Sequence, residues 1–220
     1  MAKKKSKDKV LNIYKAEKLI SSNIDVAKST LVKDLVKEAD GVNKFTEKYG
    51  FPVVLKVVSD EALHKSDLGG VSIAYNQRDL ESKWGDMEKN LKKHKIKYEG
   101  ILIQQFIEGE QIFIGISNDE AFGHVIGVGI GGVAVEALKD VQFRKCPVSE
   151  EDAESMLQNL KMSGLLYSER RKLAVDALKS SIVSVSKLPQ KVKNIQELDI
   201  NPVILNNKDC VAVDARVVLG

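Results

Sequence analysis

Gly50-Phe51-Pro52-Val53-Val54-Leu55-Lys56-Val57-Val58-Ser59, followed closely by Leu63-His64-Lys65-Ser66-Asp67-Leu68-Gly69-Gly70-Val71, is the stretch that decides the fold. Glycine followed by proline is normal punctuation at a helix end, so the helical pattern over 37–49 stops here. The β-branched run 53–58 is too short for a helix and too apolar for a loop, which predicts a buried strand. Lys56 is its one charge. A lysine in such a run points to a sheet edge, a partner or a ligand, and a cation held rigidly on a strand can neutralise phosphates; a plain surface lysine is the competing reading. The polar segment 59–70 reads as a loop closed by paired glycines, and 71–75 as a returning strand.

Working outward, 12–22 reads as a short amphipathic helix with Ile13, Leu19 and Ile20 apolar. The charged segment 79–95 reads as a helix with Leu80, Trp84, Met87 and Leu91 on one face, a stripe that makes Trp84 core packing. Residues 100–104, 111–117 and 121–128 read as strands, the last two turning at Asn118-Asp119, before a loop at Gly129-Ile130-Gly131-Gly132. Ser149-Glu150-Glu151-Asp152 opens a helix with a capping-box pattern in which Asp replaces the preferred Glu. A further helix is expected over 169–187. Short strands at 198–200 and 203–205 flank Pro202, and a last strand spans 210–214. Helices and strands alternate irregularly, with hairpins near the end, so the expected class is α+β with antiparallel pairs rather than a doubly wound parallel sheet. No Gly-x-x-x-x-Gly-Lys-Ser/Thr loop is present, and Gly127-Val128-Gly129-Ile130-Gly131 has the wrong spacing for a dinucleotide fingerprint.

The composition narrows the function classes. The 220 residues are 43% hydrophobic and 30% charged, ordinary for a globular chain with a real core. The 34 Lys and Arg against 31 Asp and Glu give +3. Five lysines and one aspartate in the first nine residues supply +4 of this, so residues 10–220 carry −1. The body has no broad basic footprint for nucleic acid, and residues 1–9 read as a disordered, solubilising tail. Cys146 and Cys210 lie in apolar surroundings with no zinc or disulfide spacing, which predicts buried reduced thiols. No apolar stretch reaches the ~20 residues that span a bilayer. The expectation is a cytoplasmic protein with no membrane or nucleic-acid partner.

Four clusters carry candidate chemistry. Lys56 is the first. The second is the 63–70 loop, where histidine, an acid and two glycines can bring backbone N–H groups to an anion and His64 can act as a nucleophile; a surface-loop histidine is the alternative. The third is 129–136 with Lys139, Asp140 and Arg144 downstream: Gly131 and Gly132 allow close backbone approach and Arg144 can contact phosphate oxygens, against the alternative of a tight turn with solvated charges. The fourth is Glu197-Leu198-Asp199-Ile200-Asn201-Pro202 with Asp214. Asp199 and Asn201 share one face of an extended segment, a hairpin return can bring Asp214 beside them, and hard oxygen donors suit Mg2+ on nucleotide phosphates; turn and cap chemistry around Pro202 is the alternative.

Together these pieces, with Gly131-Gly132-Val133-Ala134-Val135-Glu136-Ala137-Leu138-Lys139-Asp140-Val141, resemble the ATP-grasp β subunit of ADP-forming (NDP-forming) acetyl-CoA and acyl-CoA synthetases, from about residue 15 to the C-terminus. The resemblance implies an ATP-grasp fold with a nucleotide cleft between two lobes, one over about 26–102 and one over about 103–220 with the 10–25 helix packed on it. It implies reversible conversion of acyl-CoA, ADP and phosphate to acid, CoA and ATP. The length suits a separate subunit beside a CoA-binding α subunit, plausibly α2β2. The partner's phosphohistidine would visit this chain, with His64 relaying the phosphoryl group. The resemblance places Lys56 on phosphate and Gln104, Gln105, Phe106 and Ile107 at the adenine hinge. It makes Asn201 and Asp214 the Mg2+ ligands, with Asp199 assisting. Where relatives carry glutamate after a glycine pair, this chain has Gly109-Glu110-Gln111, so either Glu110 or Gln111 takes the ribose-side role. An independent ATP-grasp carboxylate ligase and a non-catalytic nucleotide-sensing subunit are the competing functions.

Overall fold

The computed structural model describes residues 8–60, 69–132, 140–168 and 170–220. In chain order the elements are β1 (Lys9–Leu11), α1 (Ile13–Ile20), β2 (Asp25–Val26), β3 (Ser29–Val32), α2 (Ala39–Tyr49), β4 (Val53–Val58), β5 (Val71–Ala74), α3 (Gln77–Lys93), β6 (Gly100–Gln105), β7 (Glu110–Asp119) and β8 (Gly123–Ile130). There follow β9 (Val141–Lys145), α4 (Glu150–Gln158), α5 (Val175–Ser186), α6 (Leu188–Lys191), β10 (Ile195–Leu205), β11 (Cys210–Ala212) and β12 (Arg216–Leu219). They form two units, Ala27–Phe106 and Met1–Val26 with Ile107–Gly220, so the chain passes between units at 26/27 and at 106/107.

The 27–106 unit is a four-stranded antiparallel sheet in the order β3-β6-β4-β5. Period-two alternation sends Val53, Leu55, Val57, Ile101 and Ile103 to one face, where Val42 and Phe45 of α2 and Leu80, Trp84, Met87 and Leu91 of α3 cover them. The α3 stripe is the one the spacing predicts, and Asn76 caps the helix by accepting from Asp79 N. Gly50, at φ 78, ends α2, and its N–H donates to Thr46 O.

The other unit holds a sheet in the order β1-β12-β10-β7-β8-β9, with β11 on β10 and β2 parallel to β11. Ile112, Ile114, Ile116, Ile126 and Val128 point into a core closed by Ala153, Met156 and Leu157 of α4 and Leu178, Ile182 and Val185 of α5. The predicted capping box is present: Ser149 Oγ accepts from Asp152 N, and Asp152 Oδ2 accepts from Ser149 N. Burial raises both thiols, Cys146 and Cys210, to about 11, which keeps them protonated at neutral pH. Among the described residues no helix is long and apolar enough to cross a membrane.

Several expectations are corrected. Lys9 pairs with Leu219 in β1, so the tail ends before it. Gly129 and Ile130 extend β8 rather than forming a loop, because Gly129 pairs with both Phe113 and Val141. The 169–187 helix starts only at Val175. Strands 198–200 and 203–205 are one strand, β10, with a register shift between Ile200 and Val203 that accommodates Pro202, which has no N–H to offer. The terminal strand is split: β11 ends at Ala212 and β12 runs to Leu219.

Candidate functional site

The β10 register assembles the fourth cluster. Val203 faces Ala212 of β11 and Asp199 faces Arg216 of β12. Both pairs follow the same antiparallel register, which sets Asn201 opposite Asp214. Val213 N donates to Pro202 O at 3.1 Å and pins that crossing. Asp199, Asn201 and Asp214 thus converge, as the hairpin reading requires. On its other side Asp199 faces Gly115 of β7, over which the Phe113 ring lies, 2.5 Å from where a Cβ would stand.

Asp199 is the electrostatic centre of this group. Burial pushes its carboxyl pKa up, Glu197 and Asp214 push it further, and Arg216 opposes them. Its Oδ1 is buried with no hydrogen-bond partner among the described residues. A buried anionic oxygen of this kind costs stability unless a ligand satisfies it. A hard divalent cation fits: two carboxylates and an amide oxygen supply oxygen donors, and the charge removes the repulsion between Asp199 and Asp214. Among the described residues no three of His, Cys, Asp and Glu stand together as a metal cage. A cation held here would need further oxygens from outside the group. Arg216 donates to Glu197 at 2.7 Å beside the group.

The predicted glycines meet Gln111. Gly131 N donates to Gln111 O at 2.6 Å, and a Cβ on Gly131 would stand 2.9 Å from that carbonyl. Gly132 lies at φ 70, where L side chains are strained, with Gln111 Oε1 3.3 Å from the position of a Cβ. Glu110, at the start of β7, pairs with Arg171. In the 27–106 unit, Lys56 and Gln104 lie on the sheet face opposite α2 and α3, on neighbouring strands, and both are buried. Gln105, Phe106 and Ile107 form the crossing between units, where Gln105 N donates to Lys28 O at 2.8 Å.

Two expected participants, Arg144 and Asp140, sit elsewhere. Arg144 pairs with Ile126 and so shares the helix-covered face; its guanidinium donates to Phe143 O and reaches Ser155 Oγ of α4 at 3.5 Å. It is turned away from the Asp199 face and packs β9 to α4. Asp140 is buried and accepts from Lys161 N and Met162 N, a structural staple. His64 lies outside the described residues, as do residues 133–139 of the third cluster. Sequence reasoning missed Arg216 and Arg171. Only the pairing of β10 with β12 links Arg216 to Asp199, and nothing local links Arg171 to Glu110.

The ATP-grasp domain family matches residues 2–219. The β subunit of ADP-forming acetate–CoA ligase II from Pyrococcus furiosus is 37% identical over 194 residues, covering 84% of this chain and 82% of that protein. ADP-forming acetate–CoA ligase I from Archaeoglobus fulgidus is 36% identical over 191 residues, 84% of this chain but 28% of its own length, so the chain spans under a third of that relative. Acetyl-coenzyme A synthetase 1 of Ca. Korarchaeum cryptofilum, in complex with coenzyme A, Ca-AMPCP and HgCl+, superposes with a TM-score of 0.88 at 37% identity over 96% of this chain and 94% of that one. The same protein with coenzyme A and Mg-AMPPCP, its phosphohistidine segment pointing towards the nucleotide binding site, gives 0.81 at 34% identity over 96% and 93%.

Proposed function

The chain belongs to the ATP-grasp domain family, among the relatives of ADP-forming acetate–CoA ligase β subunits, and from that premise we propose that it is the nucleotide-side subunit of an ADP-forming acyl-CoA synthetase. The overall reaction is acyl-CoA, ADP and phosphate to carboxylic acid, CoA and ATP. A CoA-binding partner makes acyl phosphate and carries the phosphoryl group in on its own histidine. The observation that carries this reading is the buried Asp199 oxygen, without a hydrogen-bond partner among the described residues and within electrostatic reach of Asp214, a donor set that a metal-bound nucleotide would complete.

In this reading His64 takes the phosphoryl group from the partner's histidine. A terminal oxygen of ADP then attacks phosphorus, the P–N bond breaks, and its electron pair returns to the imidazole nitrogen, which leaves neutral histidine and ATP. Asp199, Asn201 and Asp214 would hold Mg2+, which would supply positive charge against that of the phosphates. Asp199, Asn201 and Asp214 fix where that charge sits, Lys56 holds a phosphate oxygen, and Gln111 with the Gly131-Gly132 turn presents backbone to the nucleotide. The α2β2 assembly belongs to the same proposal.

The test is label transfer. The chain is mixed with its co-purified CoA-binding partner and with γ-labelled ATP. Wild type acquires an acid-labile, base-stable label, and His64→Ala loses the label and ATP formation together. Full turnover by His64→Ala contradicts the relay, and acyl-CoA formation by the chain alone favours an independent ligase.

A further inference from the structure

The end of α3 carries a concentration of positive charge that the functional reading does not use. Residues 89–97 read Lys-Asn-Leu-Lys-Lys-His-Lys-Ile-Lys, five lysines with no acid among them, in a body (residues 10–220) that carries only −1 with them included. All five lysines are exposed, as is His94. Lys89 stands 3.7 Å from Asp86, while Lys92, Lys93 and Lys95 make no ion pair among the described residues. Lysines in a last turn ordinarily answer the helix dipole, which accounts for Lys92 and Lys93 but not for the residues beyond the cap.

The cap itself is unusual. Ile96 N donates to Leu91 O and Lys95 N to Lys92 O, the paired bonds of a Schellman cap. The left-handed position of that cap belongs to glycine, yet Lys95 occupies it at φ 54. A side chain there is strained, and strain kept at a surface position is an argument for use.

The location gives the use. The strand β4 leads into residues 61–68 and β5 follows them, and both borders rest on this segment. Ser59 Oγ donates to Lys97 O at 2.5 Å, Glu99 N donates to Val58 O at 2.7 Å, and Gly69, at φ 66, would put a Cβ 3.1 Å from Asn90 Nδ2. Lys89–Lys97 thus flanks both ends of the segment that contains His64.

We propose that Lys89, Lys92, Lys93, Lys95 and Lys97 form an electrostatic docking surface for the phosphoryl-bearing segment of the CoA-binding partner. This rests on the functional reading above. The occupant is chosen by charge: a phosphoramidate is dianionic, and a surface of fixed cations with a Debye length of about 8–10 Å raises its local concentration and encounter rate. The effect proposed is on encounter and not on chemistry.

The experiment compares wild type, Lys95→Gly and a Lys92→Glu/Lys93→Glu/Lys95→Glu variant, each titrated with the separately purified CoA-binding partner at low and high salt. Varying partner concentration separates KM from kcat. Lys95→Gly relieves the strained cap, so its melting temperature should hold or rise by about 2 °C while the KM for partner rises. The triple variant should lose about tenfold in kcat/KM at low salt, mostly in KM, with the difference fading at high salt and Mg-ADP affinity unchanged. Equal KM and an equal salt slope in all three proteins overturn the surface alone. A wild-type complex that makes no ATP overturns the functional reading and this inference with it. RNA retarded by wild type and not by the triple variant, with unchanged transfer, assigns the surface to nucleic acid and overturns it too.

Discussion

Asp199 is a carboxylate placed where an unliganded protein gains nothing from it. Burial and the neighbouring Glu197 and Asp214 raise its pKa above the ordinary 3.8. The folded state therefore holds the neutral form better than the unfolded chain does. The ionised form costs stability above the folded pKa, and this cost is absent below the unfolded value. Asp199→Asn should thus raise the melting temperature of the nucleotide-free protein near pH 7 by about 2–4 °C, the shift that ~1 kcal/mol makes in a domain of this size. The advantage should vanish by about pH 4, as Asp199 protonates in both states. The same substitution should weaken Mg-nucleotide binding about tenfold. Thermal melts across pH, with calorimetry on both proteins, read the two effects; a variant less stable than wild type at neutral pH contradicts the electrostatic account of the site. The sequence already singled out Asp199, Asn201 and Asp214, because two-residue spacing on an extended segment is a local property. Arg216 and Arg171 were not legible, since each owes its place to a pairing across strands or loops remote in the chain.

At the scale of elements, local pattern found the strands and helices and misjudged where they stop. The α3 stripe, the Gly50 stop and the Ser149–Asp152 box were readable because each is set by neighbours within one or two turns. Strand β10 was read as two pieces, since Pro202 breaks a ladder unless a register shift absorbs it, and that shift is set by β7. Strand β12 was missed because its partners are β10 and the N-terminal β1, neither visible from four terminal residues. The glycines at 129–132 were taken for one flexible loop, yet they divide between a strand and a tight turn against Gln111. Gly131→Ala places a Cβ against the Gln111 backbone, which cannot move without disturbing β7, so a loss of about 1–3 kcal/mol is expected. Urea denaturation of the two proteins measures it, and an unchanged midpoint contradicts the close approach.

At the scale of the whole molecule, two units each close their own core around their own sheet. The chain crosses between them at 26/27 and at 106/107. The residues proposed for the nucleotide fall in both units: Lys56 and Gln104 belong to one, and Gln111, Asp199, Asn201 and Asp214 to the other. Motif order along the chain brought these residues into one reading, because no single segment contains a phosphate-binding loop. Among the described residues the oxygen donors are too few to cage a metal by themselves, so cation and nucleotide should bind as a pair. Calorimetric titration of ADP into wild type and Asp214→Ala, with and without Mg2+, tests this most directly. The account predicts negligible heat from Mg2+ alone, binding of ADP that strengthens with Mg2+, and a loss of about tenfold or more in the folded Asp214→Ala protein confined to the Mg2+ condition. Mg-ADP affinity unchanged in Asp214→Ala, or ADP binding indifferent to Mg2+ in wild type, would contradict it.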